Sequence, residues 1–306
     1  MTPTDLSALL SRPFTLAVAA RHGVGRSVVR RLVRDGDVRR VIHGVYVGAH
    51  VVDTLEVRAR AAVMVLPRGA VVCGRTAAWL HGVRVPVDPR DEARRTAPIE
   101  VVVPVGAALP RRHGCRARVM ALAAGEVVWP GGIPVTSPIR TAADLVRTSD
   151  RDTGVVVLDA FLRAGLIPAG ASAGLLGRYA GHPGRCRLAE AVRLADGRSA
   201  SEDETRLRLA LLGAGLPPVA VGWELRSAFG RIIGRFALAW PAARVGVELT
   251  ADRQWVRARH RSIAGQGWLV LECPAAQARR DPAATVARIG SELRLRARGN
   301  AGDIAA

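Results

Sequence analysis

The sequence of 306 residues contains no lysine, and its single asparagine is Asn300. All 45 basic residues are therefore arginines, and they outnumber the 26 acidic residues to give a formal net charge of +19. Such a basic balance favours a polyanionic partner, above all nucleic acid. The complete replacement of lysine by arginine also indicates a codon composition rich in G and C. Part of the arginine content therefore carries no information about binding.

Metal-binding and disulfide patterns are also lacking. The four cysteines are widely spaced with no C-x-x-C pair, and none of the seven histidines falls at metal-ligand spacing with another histidine or a cysteine. This pattern predicts free thiols in a reducing compartment and argues against a structural zinc site. The sequence also lacks a signal-peptide pattern and any run of about 18 apolar residues. We therefore expect a cytoplasmic protein without a membrane partner.

The first fifty residues predict three short helices followed by a hairpin. Helices are predicted at residues 4–10, 15–21 and 26–34, and alternating runs at 38–42 and 45–47 flank a turn at His43-Gly44. This order is the plan of a winged helix-turn-helix, whose third helix enters the major groove of DNA. The predicted DNA-binding residues are Arg26, Arg30, Arg31 and Arg34 on the helix and Arg39 and Arg40 on the wing. The alternative is that these arginines form a solvated face.

The end of this segment resembles a known family. An arginine-rich strand and then G-V-Y, here Arg39, Arg40, Gly44, Val45 and Tyr46, is similar to the N-terminal winged helix of the abortive-infection (AbiEi-like) antitoxins of type IV toxin–antitoxin systems. The segments CGRTAAWLHG and TSPIRTAADL resemble the middle region of the same proteins. The resemblance implies a transcriptional regulator that represses its own promoter and neutralises a cognate toxin.

The middle of the chain predicts an α/β region and then a run of helices. Asp53 and Glu56 stand at capping-box spacing at the start of a helix. His81 is expected to be a packed or turn histidine with no catalytic role. The remaining predicted elements are helices at 73–83, 136–147, 152–166, 171–179 and 186–195 and strands at 99–103, 116–120 and 133–135.

The last hundred residues predict a helix, three strands, a second helix and a final strand. Ser201 and Glu204 form a capping-box pair at the start of the first helix. Residues 244–250 alternate as a strand that is apolar on one face and carries Glu248 on the other. A carboxylate in so apolar a strand requires a partner or a metal. Alternation over residues 231–240 places three large side chains on one face: Phe236, Leu238 and Trp240.

This element order, with GW followed by VLEC near the end, resembles the very-short-patch-repair branch of the PD-(D/E)XK nucleases, which have a restriction-endonuclease-like fold. In that family, acids on the first helix and on the second and third strands hold Mg²⁺, which activates a water at the scissile phosphate. The matching acids are Glu204 and Glu248, and Asp252 is a further candidate. The second-strand aspartate falls on Ala237, and Thr250 replaces the partner of Glu248. We therefore expect a decayed active site.

A simpler interpretation of the two acids stays open. Glu248 would pair with Arg235 on the same sheet, and Glu204 would serve only as a helix cap. On that interpretation the C-terminal domain supplies phosphate contacts or dimerisation. No cofactor is then expected, whereas an active site would require Mg²⁺ on Glu204 and Glu248.

The sequence thus predicts an α/β (α+β) protein that binds DNA, with an antitoxin-like regulator as the leading function. An Mg²⁺-dependent endonuclease and a module that neutralises a toxin through protein contact are the alternatives, and a homodimer is left open. The predicted organisation is a winged helix-turn-helix over residues 1–50, an antitoxin-like α/β region over 51–148, a helical connector over 149–198, a nuclease-like domain over 199–298 and a disordered tail over 299–306.

Overall fold

The computed structural model describes residues 3–87, 97–168, 170–250 and 263–302. Helices and three sheets alternate through these residues, which confirms the predicted α+β class. The chain divides into two compact units, Met1–Leu145 and Val146–Ala306. Within the described ranges, no helix is both long and apolar enough to cross a membrane.

The first unit begins with three helices and a small antiparallel sheet of order β1-β3-β2. The predicted helices and hairpin are confirmed, and a short strand that the sequence did not predict precedes the second helix. Thr15 caps that helix by accepting from the amide of Val18 at 3.2 Å. The elements are α1 (Pro3–Leu10), β1 (Phe14–Thr15), α2 (Leu16–Arg21), α3 (Arg26–Asp35), β2 (Val38–Ile42) and β3 (Val45–Gly48).

A five-stranded sheet of order β6-β5-β4-β8-β7 forms the rest of this unit. Alanines of two helices, Ala59, Ala62 and Ala77, pack against one face of the sheet with Val101 and Val135. The elements are α4 (Leu55–Val63), β4 (Val71–Val72), α5 (Gly74–Leu80), β5 (Ile99–Val103), β6 (Cys115–Val119), β7 (Val127–Val128), β8 (Val135–Thr136) and α6 (Pro138–Thr148), the last of which continues past the boundary of the unit.

In the first unit, the cap of α4 differs from the sequence prediction, and the environment of His81 agrees with it. The cap of α4 is Thr54, which accepts from the amide of Val57 at 3.2 Å. The predicted cap Asp53 instead pairs with Arg58 at 2.6 Å, so the capping-box prediction was wrong because the arginine competes for the carboxylate. His81 bonds the carbonyl of Thr136 through Nε2 at 2.8 Å, as expected for a structural histidine.

The second unit contains six helices among its described residues and a four-stranded sheet of order β12-β11-β10-β9, in which only β11 and β12 are parallel. The predicted helix between β11 and β12 falls largely on residues 251–262, outside the described ranges. The elements are α7 (Arg151–Arg163), α8 (Ala171–Arg178), α9 (Arg185–Leu194), α10 (Glu202–Gly213), β9 (Ala220–Arg226), β10 (Ile232–Trp240), β11 (Val245–Thr250), β12 (Leu269–Pro274), α11 (Ala275–Arg280) and α12 (Pro282–Gly302).

The final helix, α12, continues to Gly302, where the sequence predicted a disordered tail from residue 299. The part of α12 that precedes residue 299 is rich in leucine, arginine and alanine, which favour a helix. Residues 303–306 lie outside the described ranges.

Contrary to the sequence prediction, the large side chains of β10 do not all lie on one face of the second sheet. Leu238 and Trp240 pack with Leu207 of α10 in one cluster. Phe236 belongs to the other cluster, where its ring stacks on Trp268 with centroids 5.1 Å apart. The predicted common face of Phe236, Leu238 and Trp240 was therefore wrong. Gly246 on β11 makes room for the Phe236 ring, since a Cβ there would lie 2.5 Å from it.

A buried ion pair links α7 to α10 within this unit. The Asp159 side chain is fully buried, and its Oδ2 accepts from Arg208 at 2.7 Å and from the Thr205 hydroxyl at 2.8 Å. Its Oδ1 accepts from the amide of Asp196 at 2.6 Å, and Arg208 also donates to the carbonyl of Leu194. The helices predicted as a connector thus share a polar core with the start of the region that was predicted to be nuclease-like.

Candidate nucleic-acid interface

Helix α3 presents a row of arginines on its outer side. Val29 is 1% exposed and fixes the inner side of the helix against Phe14 and Ala19. Residues three and four apart share a face of a helix, so Arg26, Arg30 and Arg34 follow one another away from the core, with Arg31 beside them. All four side chains are exposed. Within the described ranges, none of them has a side-chain hydrogen bond or ion pair, so their guanidinium groups are available to a ligand.

The two arginines of the hairpin have different environments. Arg40 is exposed on β2, opposite Tyr46 of β3. Arg39 is half-buried and donates from Nη2 to the carbonyl of Val51 at 2.9 Å, with Asp53 3.8 Å away. Its guanidinium therefore fastens the hairpin to the segment before α4. We assign Arg39 to the framework of the hairpin and Arg40 to its exposed surface.

Asp53 is the centre of this small framework. The hydrogen bond from Arg58, together with the charges of Arg58 and Arg39, lowers the pKa of Asp53 in spite of the partial burial that opposes the shift. The carboxylate therefore stays ionised at neutral pH and can pair with both arginines.

Glu204, the predicted acid on α10, is engaged in the start of that helix. Glu204 accepts from the amide of Ala200 at 2.7 Å, while Ser201 accepts from the amide of Glu204 at 3.2 Å. The reciprocal cap is confirmed with one change, because the carboxylate reaches Ala200 and not Ser201. Within the described residues, Glu204 therefore has a structural role at the start of α10.

Glu248 lies buried on β11, at 6% exposure. In the parallel register its neighbour on β12 is Glu272, a half-buried acid that the sequence interpretation did not select. Neither residue is without an interaction in the described structure. Arg235, the partner expected for Glu248, is exposed and lies opposite Glu224 of β9. Only the alternation of the VLEC strand could have indicated Glu272, because its pairing with β11 is a long-range property.

The described residues contain no group of three or more His, Cys, Asp and Glu side chains that could hold a metal ion. Ala237, at the position of the missing second-strand aspartate, packs against the apolar cluster around Leu207 and Leu238. Asp252, the remaining candidate ligand, lies outside the described residues. An Mg²⁺ site on Glu204 and Glu248 therefore stays a prediction.

Comparison with known families identifies the segment that contains the arginine row. Residues 2–47 match the family described as a transcriptional regulator, AbiEi antitoxin. Residues 70–169 match the AbiEi antitoxin C-terminal domain. Both segments are similar to AbiEi-type antitoxin domains. The resemblance predicted from the hairpin ending and from the two middle motifs is thereby confirmed for these parts of the chain.

The AbiEi-type match of residues 2–47 contains all of α3, and so the whole arginine row, together with the β2–β3 hairpin apart from its last residue, Gly48. The match of residues 70–169 contains the five-stranded sheet together with α5, α6 and α7. Neither match extends past residue 169, so the resemblance of the C-terminal region to very-short-patch-repair nucleases stays a prediction.

Two relatives match over most of the chain, and both are described as uncharacterised. The chain is 28% identical over 276 residues to two uncharacterised proteins of Mycobacterium tuberculosis, MT2308 of strain CDC 1551 and Rv2248 of strain H37Rv. Each alignment covers 85% of this chain and 94% of the relative. The crystal structure of the Rv2827c protein of M. tuberculosis is similar with a TM-score of 0.43 at 15% identity, covering 74% of this chain and 90% of that one.

Proposed function

We propose that this protein is a DNA-binding transcriptional regulator of the AbiEi antitoxin type. Helix α3 reads the operator, and the β2–β3 hairpin contacts the adjacent backbone as the wing of a winged helix. The observation that carries this proposal is the row of exposed arginines on α3, which has no partner among the described residues and lies within the AbiEi-type regulator segment.

The dimensions and chemistry of α3 suit this role. Ten residues make a helix about 15 Å long, which the major groove of B-DNA can admit. Arginine donates a fork of hydrogen bonds that matches either O6 and N7 of guanine or two phosphate oxygens. Arg26 and Arg30 lie in the N-terminal half of the helix, the part that contacts base edges in helix-turn-helix proteins. Arg34 lies at the other end, where a phosphate contact is the simpler expectation.

Antitoxin-type domains on both sides of residue 50 support two further parts of the proposal. The protein represses its own promoter, and it counteracts a toxin encoded beside it. A homodimer would bind two half-sites about one helical turn apart, and the operator would then be a pseudo-palindrome.

Fluorescence anisotropy on the DNA upstream of the gene and on a shuffled duplex, at several salt concentrations, tests the proposal. Each arginine that meets a phosphate contributes about one unit to the slope of log K against log salt. We expect Arg34→Ala to weaken binding to both duplexes and to lower that slope, and Arg30→Ala to weaken binding to the upstream duplex most. Arg30→Lys keeps the charge but not the fork, so we expect it to keep the slope and to lose preference for the upstream duplex.

The matched control is Arg193→Ala, which removes one exposed arginine from α9 of the second unit. Unchanged affinity in the Arg30 and Arg34 variants, or an equal loss in the Arg193 control, would refute DNA reading by α3.

The endonuclease alternative is tested on the same duplexes with Mg²⁺ or Mn²⁺. Metal-dependent cleavage that Glu248→Ala abolishes while the fold is retained would favour the nuclease.

A further inference from the structure

A cleft of about 380 Å³ lies beside the turn of the β2–β3 hairpin, in the first unit. One side is the turn itself, and the other is the loop that precedes β6. Its lining contains two arginines and two histidines and no acidic residue: Ile42, His43, Pro110, Arg111, Arg112 and His113. The sequence prediction assigned no function to the run Arg111-Arg112-His113.

The loop and the turn are joined directly. Arg112 donates from Nη1 to the carbonyl of His43 at 3.2 Å, which fixes the loop against the tip of the hairpin. Gly114, with φ of +81°, turns the chain at the end of the loop, and its carbonyl accepts from the amide of Ile99 at the start of β5. The hairpin and the sheet therefore both hold the end of the loop that leads into β6.

The charge of the cleft is not balanced within the described part of the protein. Arg111 is exposed and has no ion pair or side-chain hydrogen bond there, and His43 and His113 are exposed as well. Adjacent guanidinium groups repel one another, and an anion between them removes that repulsion. Arg40 on the same hairpin adds another exposed positive charge near the turn.

We infer that this cleft binds the phosphodiester backbone of DNA, as a continuation of the surface that α3 and the wing present. The inference rests on the proposed function. The Arg111 fork would bind phosphate oxygens in a bidentate manner, and the ring N–H groups of His43 and His113 are additional donors. Ile42 and Pro110 supply an apolar wall that suits the faces of the sugars. DNA is favoured over an acidic protein because the hairpin belongs to the regulator segment.

Replacement of Arg111 separates this site from α3. Phosphate contacts carry no direct sequence information, whereas groove contacts do. We therefore expect Arg111→Ala to lower the salt slope by about one unit and to leave the preference for the upstream over the shuffled duplex unchanged. His113→Ala should weaken binding to both duplexes to the same degree. Arg193→Ala again serves as the control for the loss of one charge.

Three results would overturn the inference. A wild-type salt slope for Arg111→Ala and wild-type affinity for His113→Ala, while Arg30→Ala weakens binding, would remove the cleft from the interface and leave the proposed function standing. If Arg30→Ala is also without effect, the proposed function itself fails. If Arg111→Ala abolishes binding of labelled polyglutamate but leaves DNA binding intact, the cleft is a site for an acidic protein.

Discussion

Removal of the buried Asp159 carboxylate should destabilise the second unit strongly. Asp159 is 0% exposed and Arg208 8% exposed, so water has little access to either charge in the folded protein. Asp159→Ala leaves the Arg208 guanidinium buried without its counter-ion. It also removes the acceptor for the Thr205 hydroxyl and for the Asp196 amide.

Breaking a buried pair by the loss of one partner costs about 3–5 kcal/mol. For a unit of the size of Val146–Ala306, each kcal/mol lowers the melting temperature by about 2–4 °C. We therefore expect the Asp159→Ala transition of this unit to fall by roughly 6–20 °C. Because well-packed apolar residues can replace such a pair at little cost, the double variant Asp159→Leu, Arg208→Met should recover much of that loss.

Differential scanning calorimetry of the full chain measures these shifts, and it also shows whether the two units unfold separately. The control is Arg151→Ala, which removes the exposed pair of Arg151 with Glu190 at 3.0 Å. A surface pair contributes at most about 1 kcal/mol, so the control should shift the transition by only a few degrees. A loss below about 1 kcal/mol in Asp159→Ala would refute the argument that this pair is sealed from water.

Three further predictions concern other parts of the chain. Arg40→Ala should lower the salt slope of DNA binding by about one unit, whereas Arg39→Ala should lower stability and leave the slope unchanged. Gly246→Ala should destabilise the second unit by about 1–3 kcal/mol, because its Cβ would overlap an aromatic ring. At about pH 8, a thiol reagent should modify exposed Cys186 rapidly and buried Cys73 only after unfolding, since burial raises the pKa of Cys73 to about 12.

The hairpin prediction is measured by anisotropy, and equal salt slopes for Arg39→Ala and Arg40→Ala would contradict the division between framework and surface. Gly246→Ala is measured by calorimetry, with Gly213→Ala as a control because a Cβ there meets nothing within 4 Å. Mass spectrometry of the labelled peptides follows the cysteines. Rapid labelling of Cys73 in the folded protein would show that its pocket opens.

The local part of the fold could be predicted from the sequence, because its signals lie within a few residues. The hairpin needs only the alternation of β2 and β3 around Gly44, and the start of α10 needs only Ser201 and Glu204. The strands β4 and β7 have two residues each, too few for a period to show. Phe236 was assigned to the wrong face because strict alternation along β10 ignored the space that Gly246 leaves on the neighbouring strand.

The arginines of α3 could be predicted from the sequence, but the contacts that fix the hairpin and the loop beside it could not. Charge and spacing within α3 select its arginines without knowledge of the fold. Residues 39 and 51 are twelve positions apart, and Arg112 is 69 positions from the carbonyl that it contacts. No periodicity connects residues so far apart in sequence. The same limit applies to Glu248 and Glu272, which become neighbours only because β11 and β12 pair in parallel.

The absence of lysine makes the net charge of +19 a poor argument for DNA binding, and the structure supplies a better one. Arginines fixed in the framework have defined partners: Arg208 is buried with Asp159, and Arg39 is tied to the chain before α4. An arginine supplied only by codon composition would be scattered over the surface. Four arginines on one short helix, without partners among the described residues, are instead grouped on α3, and a fifth exposed arginine lies on the hairpin. Their grouping, and not their number, is what supports a nucleic-acid interface.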